Sequence, residues 1–268
     1  MQLRLGKHIR IFLARLFNFL YHRTKIKVFR IISNKLIKYI SVKINDVVFY
    51  ATSISDFYEQ LRADYEKPIF EYVIGQLNNC LQNMSMQKNY CIFIDVGANI
   101  GRYSLYLAKK FPNVLVIAIE PDSEAYLALI KGIQANSLSN VIALNIAAHN
   151  SNGYVALFRK RSSTLSSIVN PTDTFEIVKV RAMRMDDLVK KLNINSINIV
   201  KIDVEGAELY VLQGFEEGIK KFKPKVVIEV TKLSREDVIK VFAKLNYSCK
   251  NIIVGSDIEY LACQPHES

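Results

Sequence analysis

The chain has 268 residues, half of them hydrophobic, and a formal net charge of +11 at pH 7. That length and apolar content suffice for one large α/β core with an appendage, and no internal repeat or low-complexity segment interrupts it. Its four cysteines, Cys80, Cys91, Cys249 and Cys263, form no CxxC pair and have no histidine at ligand spacing, so reduced thiols and no structural zinc are expected.

The charge is confined to one end. Residues 1–45 hold eleven Lys or Arg and no acid, leaving 36 − 11 = 25 bases against 25 acids in the remainder. The bases alternate with apolar residues such as Ile9, Phe12, Leu16 and Phe19 at near-helical spacing, which predicts a basic amphipathic arm over residues 1–41. Its uncharged stretches fall short of the roughly 20 residues needed to span a bilayer. An anionic membrane surface is one partner for such an arm. Packing on the catalytic domain or an oligomer contact are the plainer alternatives. A cleaved signal peptide is disfavoured by Arg15 and the lack of a small-residue cleavage site, and no reading motif points to nucleic acid. The expected location is cytoplasmic, and peripheral at the inner membrane face if the arm binds a membrane.

Residues 42–51 alternate as a hairpin turning at Asn45 and Asp46, and residues 55–82 read as one or two helices interrupted near Pro68. Together they predict a cap over residues 42–88, ahead of the main domain at 89–268. From Tyr90 the rhythm becomes strand 91–95, helix 101–110, strand 114–119, helix 122–136 and strand 141–147, the signature of βαβ units with a parallel sheet. Residues 153–182 break it with two strands around the hydroxyl-rich stretch Ser162 to Ser167, which reads either as acceptor contacts or as surface loop. Helix 185–192, strand 197–202, helix 206–214, strand 225–230, helix 234–245 and strands near 247–254 and 257–263 complete the pattern.

The most informative segment is CIFIDVGANIG at 91–101, a buried strand that stops at Asp95 and turns through Gly97 and Gly101. Such a strand tip is where open α/β sheets hold nucleotide-like cofactors. The dinucleotide pattern GxGxxG wants glycine where Asp95 stands. A carboxylate there repels a pyrophosphate and attracts a cofactor carrying an amino group and a sulfonium, which describes S-adenosyl-L-methionine. Gly97 and Gly101 allow a tight turn and close approach, and Asn99 adds an amide. The next apolar run ends at Glu120, 25 residues after Asp95, placed to accept hydrogen bonds from ribose hydroxyls. The plainer alternative is a strand and turn in which Asp95 caps the following helix.

The DVGANIG loop, IEP at 119–121 and IVKIDVEGAE at 199–208 occur in order, and with them the chain resembles the FkbM family of S-adenosylmethionine-dependent methyltransferases over roughly residues 90–232. The resemblance implies a class I methyltransferase fold: a seven-stranded, Rossmann-like, mostly parallel sheet with the last strand antiparallel and helices on both faces. It also implies O-methylation of a hydroxyl on a glycan, glycolipid or small metabolite. The alternatives are an NAD-dependent oxidoreductase and a non-catalytic, membrane-associated scaffold.

Asp203 ends the fourth main strand and is expected beside Asp95, where it would orient or deprotonate the acceptor. Glu205, Glu208 and Glu229 lie on the same edge. An ordinary carboxylate, with a pKa of about 4, is a weak base toward an alcohol unless burial raises it or a metal acidifies the alcohol. These converging carboxylates make a Mg²⁺ site feasible; alternatively Glu205 and Glu208 stabilise a helix N-terminus. His149 reads as a candidate base near the adenine or as a loop residue, and Lys201 as structural or paired with an acid.

Overall fold

The computed structural model describes residues 7–53, 56, 66–83, 90–160, 166–169, 174, 176–253 and 259–266. The basic arm folds as two helices, α1 (Lys7–Thr24) and α2 (Lys27–Ile37). No helix among the described residues is long and apolar enough to cross a membrane. Strands β1 (Ile40–Ile44) and β2 (Val47–Ala51) form the expected hairpin, with Asn45 and Asp46 both at positive φ in its turn. The Asn136 side-chain amide, which ends helix α5 (Ser123–Ala135), exchanges hydrogen bonds with the backbone of Val48 at 2.9 and 2.7 Å and docks the hairpin on the main domain. Helix α3 (Lys67–Gln82) holds Pro68 in its first turn rather than breaking there, since proline lacks only a donor that the first turn leaves unpaired anyway. Most of the predicted helical residues ahead of it lie outside the described residues.

The main sheet is built from β3 (Cys91–Val96), β4 (Val114–Ile119), β5 (Val141–Leu144), β9 (Ile199–Ile202), β10 (Lys225–Val230), β11 (Tyr247–Ile253) and β12 (Glu259–Pro265) in the order β11-β12-β10-β9-β3-β4-β5. Strands β10, β9, β3, β4 and β5 run parallel, and β12 is antiparallel to both of its neighbours. The expected seven-stranded, mostly parallel sheet is therefore present. Alternation sorts the side chains. Ile92, Ile94 and Val96 join the core under α6 (Met185–Lys191), α7 (Glu208–Gly214), α8 (Glu216–Phe222) and α9 (Arg235–Lys244). Cys91 and Phe93 face the opposite layer, with α3 and α4 (Arg102–Lys110).

Three local expectations change. The predicted strand 141–147 is broken at residues 145–146, where the Asn145 amide turns aside to donate to the Glu120 and Pro121 carbonyls at 2.8 and 3.0 Å. The pair β6 (Ala147–Ala148) instead joins a second sheet, ordered β6-β8-β7, with β7 (Gly153–Arg159) and β8 (Glu176–Met183). The cysteines are not free: Cys80 bonds to Cys91, tying α3 to β3, and Cys249 bonds to Cys263 directly across the β11–β12 pair. The pairing overturns the expectation of reduced thiols; it depends on which strands become neighbours, which spacing does not reveal.

Candidate active site

The Gly-rich turn after β3 is shaped by contacts within the protein. Gly97 has φ +82°, and a Cβ there would lie 1.8 Å from the Asp203 carbonyl oxygen, so the loop presses directly on the tip of β9. Gly101, at φ +87°, leaves room for Leu129 and Leu105 instead. At these two positions the absence of a Cβ also allows close packing of the turn on β9 and on Leu129 and Leu105. Asn99, also at positive φ, donates its backbone N–H to Glu120 Oε2 at 2.7 Å. The other Glu120 oxygen accepts from the Asp122 N–H at 2.8 Å. Glu120 thus clamps the turn to the tip of β4. Burial, then the nearby Asp122 charge, push its carboxyl up to about 8 against the pull of those two N–H groups.

Register builds a polar row on the α3–α4 face. Asp95 pairs with Lys201, Lys201 with Val227, and Glu229, two residues further on the same face, with Tyr260. Lys201 is 2% exposed; its Nζ donates to Asp203 Oδ2 at 2.7 Å and lies 4.8 Å from the Tyr103 ring centroid. Burial alone would lower its pKa, but Asp203, Asp95 and Glu66 outweigh it and the ammonium is held. The Tyr260 hydroxyl reaches the same Asp203 oxygen at 3.0 Å and Glu66 Oε1 at 3.2 Å, while Tyr103 donates to Glu66 Oε2 at 2.8 Å. Asp95 is buried, with one oxygen accepting from Ser104 Oγ at 2.6 Å and the other without a hydrogen bond.

The carboxyls of this edge are driven apart. Burial opposes the charge on Asp203, yet Lys201 and the hydrogen bonds around it hold it well below the usual range. Glu229, hydrogen-bonded to Asp203, is pushed far up by burial and by that neighbouring charge, so it carries the shared proton. Glu205, at φ +53° in the turn after β9, is raised to about 8 by burial and then by Asp203. Asp203, Glu205 and Glu229 each offer an oxygen within 4.8 Å of the others.

Asp203 follows β9 and donates its N–H to the Val96 carbonyl at 3.0 Å, which places it beside the Gly-rich turn as expected. Glu208 is buried and accepts from the Gly206 N–H at 2.7 Å, so it braces the turn at the start of α7. His149 stacks on Tyr210, with ring centroids 4.8 Å apart, and contacts Ser151. Of the hydroxyl-rich stretch, residues 161–165 lie outside the described residues; the Ser167 hydroxyl donates to the Glu205 carbonyl at 2.7 Å and so ties the second sheet to the turn after β9. Glu66, Tyr103, Ser104 and Tyr260 were not anticipated. No motif or spacing in the sequence marks them, because they come from segments far apart in the chain. A separate cavity of about 170 Å³, lined by Phe49, Phe70, Arg102 and Tyr106 among others, lies between the hairpin and α3–α4 and includes none of these carboxylates.

The sheet order, the acidic first-strand tip, the glycine turn and the carboxylate at the second tip match the class I methyltransferase fold that the resemblance implies. The family model for the methyltransferase FkbM domain matches residues 95–249. The chain belongs to that family and is a methyltransferase. It is 27% identical over 183 residues to methyltransferase sdnD of Sordaria araneosa, covering 57% of this chain and 70% of that protein. It is 24% identical over 167 residues to the hexuronic acid methyltransferase AglP of Haloferax volcanii, covering 62% and 67%. Against the 31-O-demethyl-FK506 methyltransferase FkbM of Streptomyces tacrolimicus it is 27% identical over 159 residues, covering 47% and 60%. Among solved structures, M. jannaschii TYW2 in complex with AdoMet aligns over 84% of each chain at 15% identity, with a TM-score of 0.44.

Proposed function

We propose that the enzyme methylates a hydroxyl group on a glycan, a glycolipid or another small metabolite. The observation that carries this reading is the convergence of Asp203, Glu205 and Glu229 at the sheet edge beside the Gly-rich turn, their oxygens within 4.8 Å of one another, where burial and the Asp203 charge raise Glu205 and Glu229 while Lys201 holds Asp203 low. Environments that push neighbouring acids apart divide acid and base roles between them. The cofactor supplies a methyl group already activated by positive sulfur, which leaves the protein to align the acceptor and remove its proton.

Glu120, with the turn formed by Gly97, Asn99 and Gly101, holds the ribose side of the cofactor in this reading, and the unpaired Asp95 oxygen favours its positive charge. Asp203, fixed by Lys201 and Tyr260, orients the acceptor hydroxyl. Glu205 accepts the proton, because a base serves best when its pKa lies near the working pH. Glu229 keeps a second negative charge away from Asp203, and Glu208 holds the turn. Asp203, Glu205 and Glu229, whose oxygens lie within 4.8 Å of one another, are the residues that would hold a divalent cation, which would acidify the acceptor hydroxyl. Relatives named for hexuronic acid and for 31-O-demethyl-FK506 support a sugar or hydroxyl acceptor.

The test is labelled methyl transfer from S-adenosyl-L-methionine into a cell extract, with mass spectrometry of the product, in the presence and absence of EDTA. Methyl ether formation is expected, with Glu205→Gln lowering turnover by about 10²-fold or more and leaving S-adenosylhomocysteine affinity unchanged; loss of turnover in EDTA would assign a cation to the carboxylate cluster. Methylation at nitrogen or carbon, or full turnover in Glu205→Gln, would refute this reading.

A further inference from the structure

The basic arm takes no part in the site described above, yet its outer surface is ordered in an unusual way. The inner side of α1 is fastened to α2 and its C-terminal end: Arg10 donates to the Leu36 and Lys38 carbonyls at 2.8 and 2.9 Å, and the Ser33 hydroxyl donates to the Ala14 carbonyl at 3.0 Å. The opposite side carries Ile9, Phe12, Leu16 and Phe19, which are 52, 66, 43 and 56% exposed. At 3.6 residues per turn these four form one narrow stripe along the helix, and the equally exposed Ile26 continues the spacing beyond its end. A helix packed only on its own protein would bury such a stripe.

We infer that this stripe docks the enzyme on an anionic lipid bilayer, with α1 lying in the interfacial plane. Charge selects that occupant. Residues 1–45 contain eleven bases and no acid, which repels a second copy of the same arm and attracts acidic headgroups. A nucleic acid would use the charge but leave four exposed apolar side chains without a role. Lys7, Arg15 and Arg23 are exposed on the helix that bears the stripe, an arrangement of apolar centre and basic surroundings that suits the headgroup boundary.

The arm also bears on the substrate. Lys38, just past α2, pairs with Glu124 at 2.7 Å, and Glu124 lies in the first turn of α5, four residues after Glu120. The arm is thus tied to the helix that follows the cofactor edge of the sheet. Resting on the methyltransferase reading above, this points to an acceptor hydroxyl carried by a lipid-linked molecule.

Co-sedimentation of the full chain with phosphatidylcholine vesicles, with and without phosphatidylglycerol, tests the inference. Binding only to the anionic vesicles, weakened by added salt, is expected. Phe12→Ser with Phe19→Ser should reduce it about tenfold or more, while S-adenosylhomocysteine affinity measured by calorimetry stays unchanged. Equal binding to neutral vesicles, or no binding at all, overturns the inference. So does a double variant that binds vesicles normally, or one that converts a dimer to a monomer in light scattering without any vesicle binding by the parent chain. Normal vesicle binding without affinity for S-adenosylhomocysteine would keep the docking surface and remove the methyltransferase reading of the site.

Discussion

Replacing Lys201 with methionine keeps the unbranched apolar stem of the side chain and removes its charge from a position only 2% exposed. Asp203 then loses the ammonium 2.7 Å from its oxygen, while Asp95 and Glu66 lose the cation that offsets their own charges. Breaking a buried ion pair by removing one partner destabilises by about 3–5 kcal/mol, because the remaining charge stays buried. For a chain of this size each kcal/mol shifts the melting temperature by about 2–4 °C, so a fall of roughly 6–20 °C is expected near neutral pH. The sign of the pH dependence follows from Asp203. Its depressed folded pKa contributes stability that is present above the unfolded value of about 4 and lost as pH falls through the lower folded value. Without Lys201 that contribution disappears and Asp203 protonates more readily, so the gap between variant and parent should narrow as the pH is lowered toward about 5. Thermal unfolding of both proteins across this range checks the argument. A destabilisation under about 1 kcal/mol that does not vary with pH would show that Lys201 is not the counter-charge of the network.

Gly97→Ala should be far more damaging than Gly101→Ala. The first places a methyl 1.8 Å from a backbone oxygen at φ +82°, whereas the second meets the end of the Leu129 side chain, which can move; soluble yield and melting temperature of the two variants should rank them in that order. Alkylation of the unfolded, unreduced chain followed by mass measurement should find no free thiol, because both disulfides are closed. Opening either loop, with sequence separations of 11 and 14, should cost about 3 kcal/mol by the chain-entropy estimate.

Much of the sheet and of the candidate site was legible because buried parallel strands are written as unbroken apolar runs, and a charge at the end of such a run stands out. Asp95, Glu120 and Asp203 were found that way, and β4 and β10 match their predicted limits. Residues contributed by distant segments were not legible. Glu66 and Tyr260 are 194 positions apart and meet only because β12 pairs with β10 while α3 packs beneath them. The disulfides escaped for the same reason: Cys249 faces Cys263 through strand register, not through a motif. Helix α8 was missed since it follows Gly214 after a single residue, Phe215, where the pattern reads as the end of a helix.

Lys201 shows why a motif can hold a buried charge within an otherwise apolar strand. Three neighbouring carboxylates at the tips of parallel strands would repel one another and take up protons, leaving no fixed anion at the sheet edge. One ammonium under Asp203, together with one proton on Glu229, removes that repulsion while leaving a single oriented anion. The lysine must come from the strand itself, because Gly97 already presses against the Asp203 backbone and leaves no space for a side chain from the turn. A cation one strand-residue short of the tip, and two residues before the acid it serves, is the arrangement this packing permits. In that geometry the sequence Lys201-Ile202-Asp203 alternates charge, core and charge, so that the polar row and the hydrophobic layer beneath the other face are built by the same three residues.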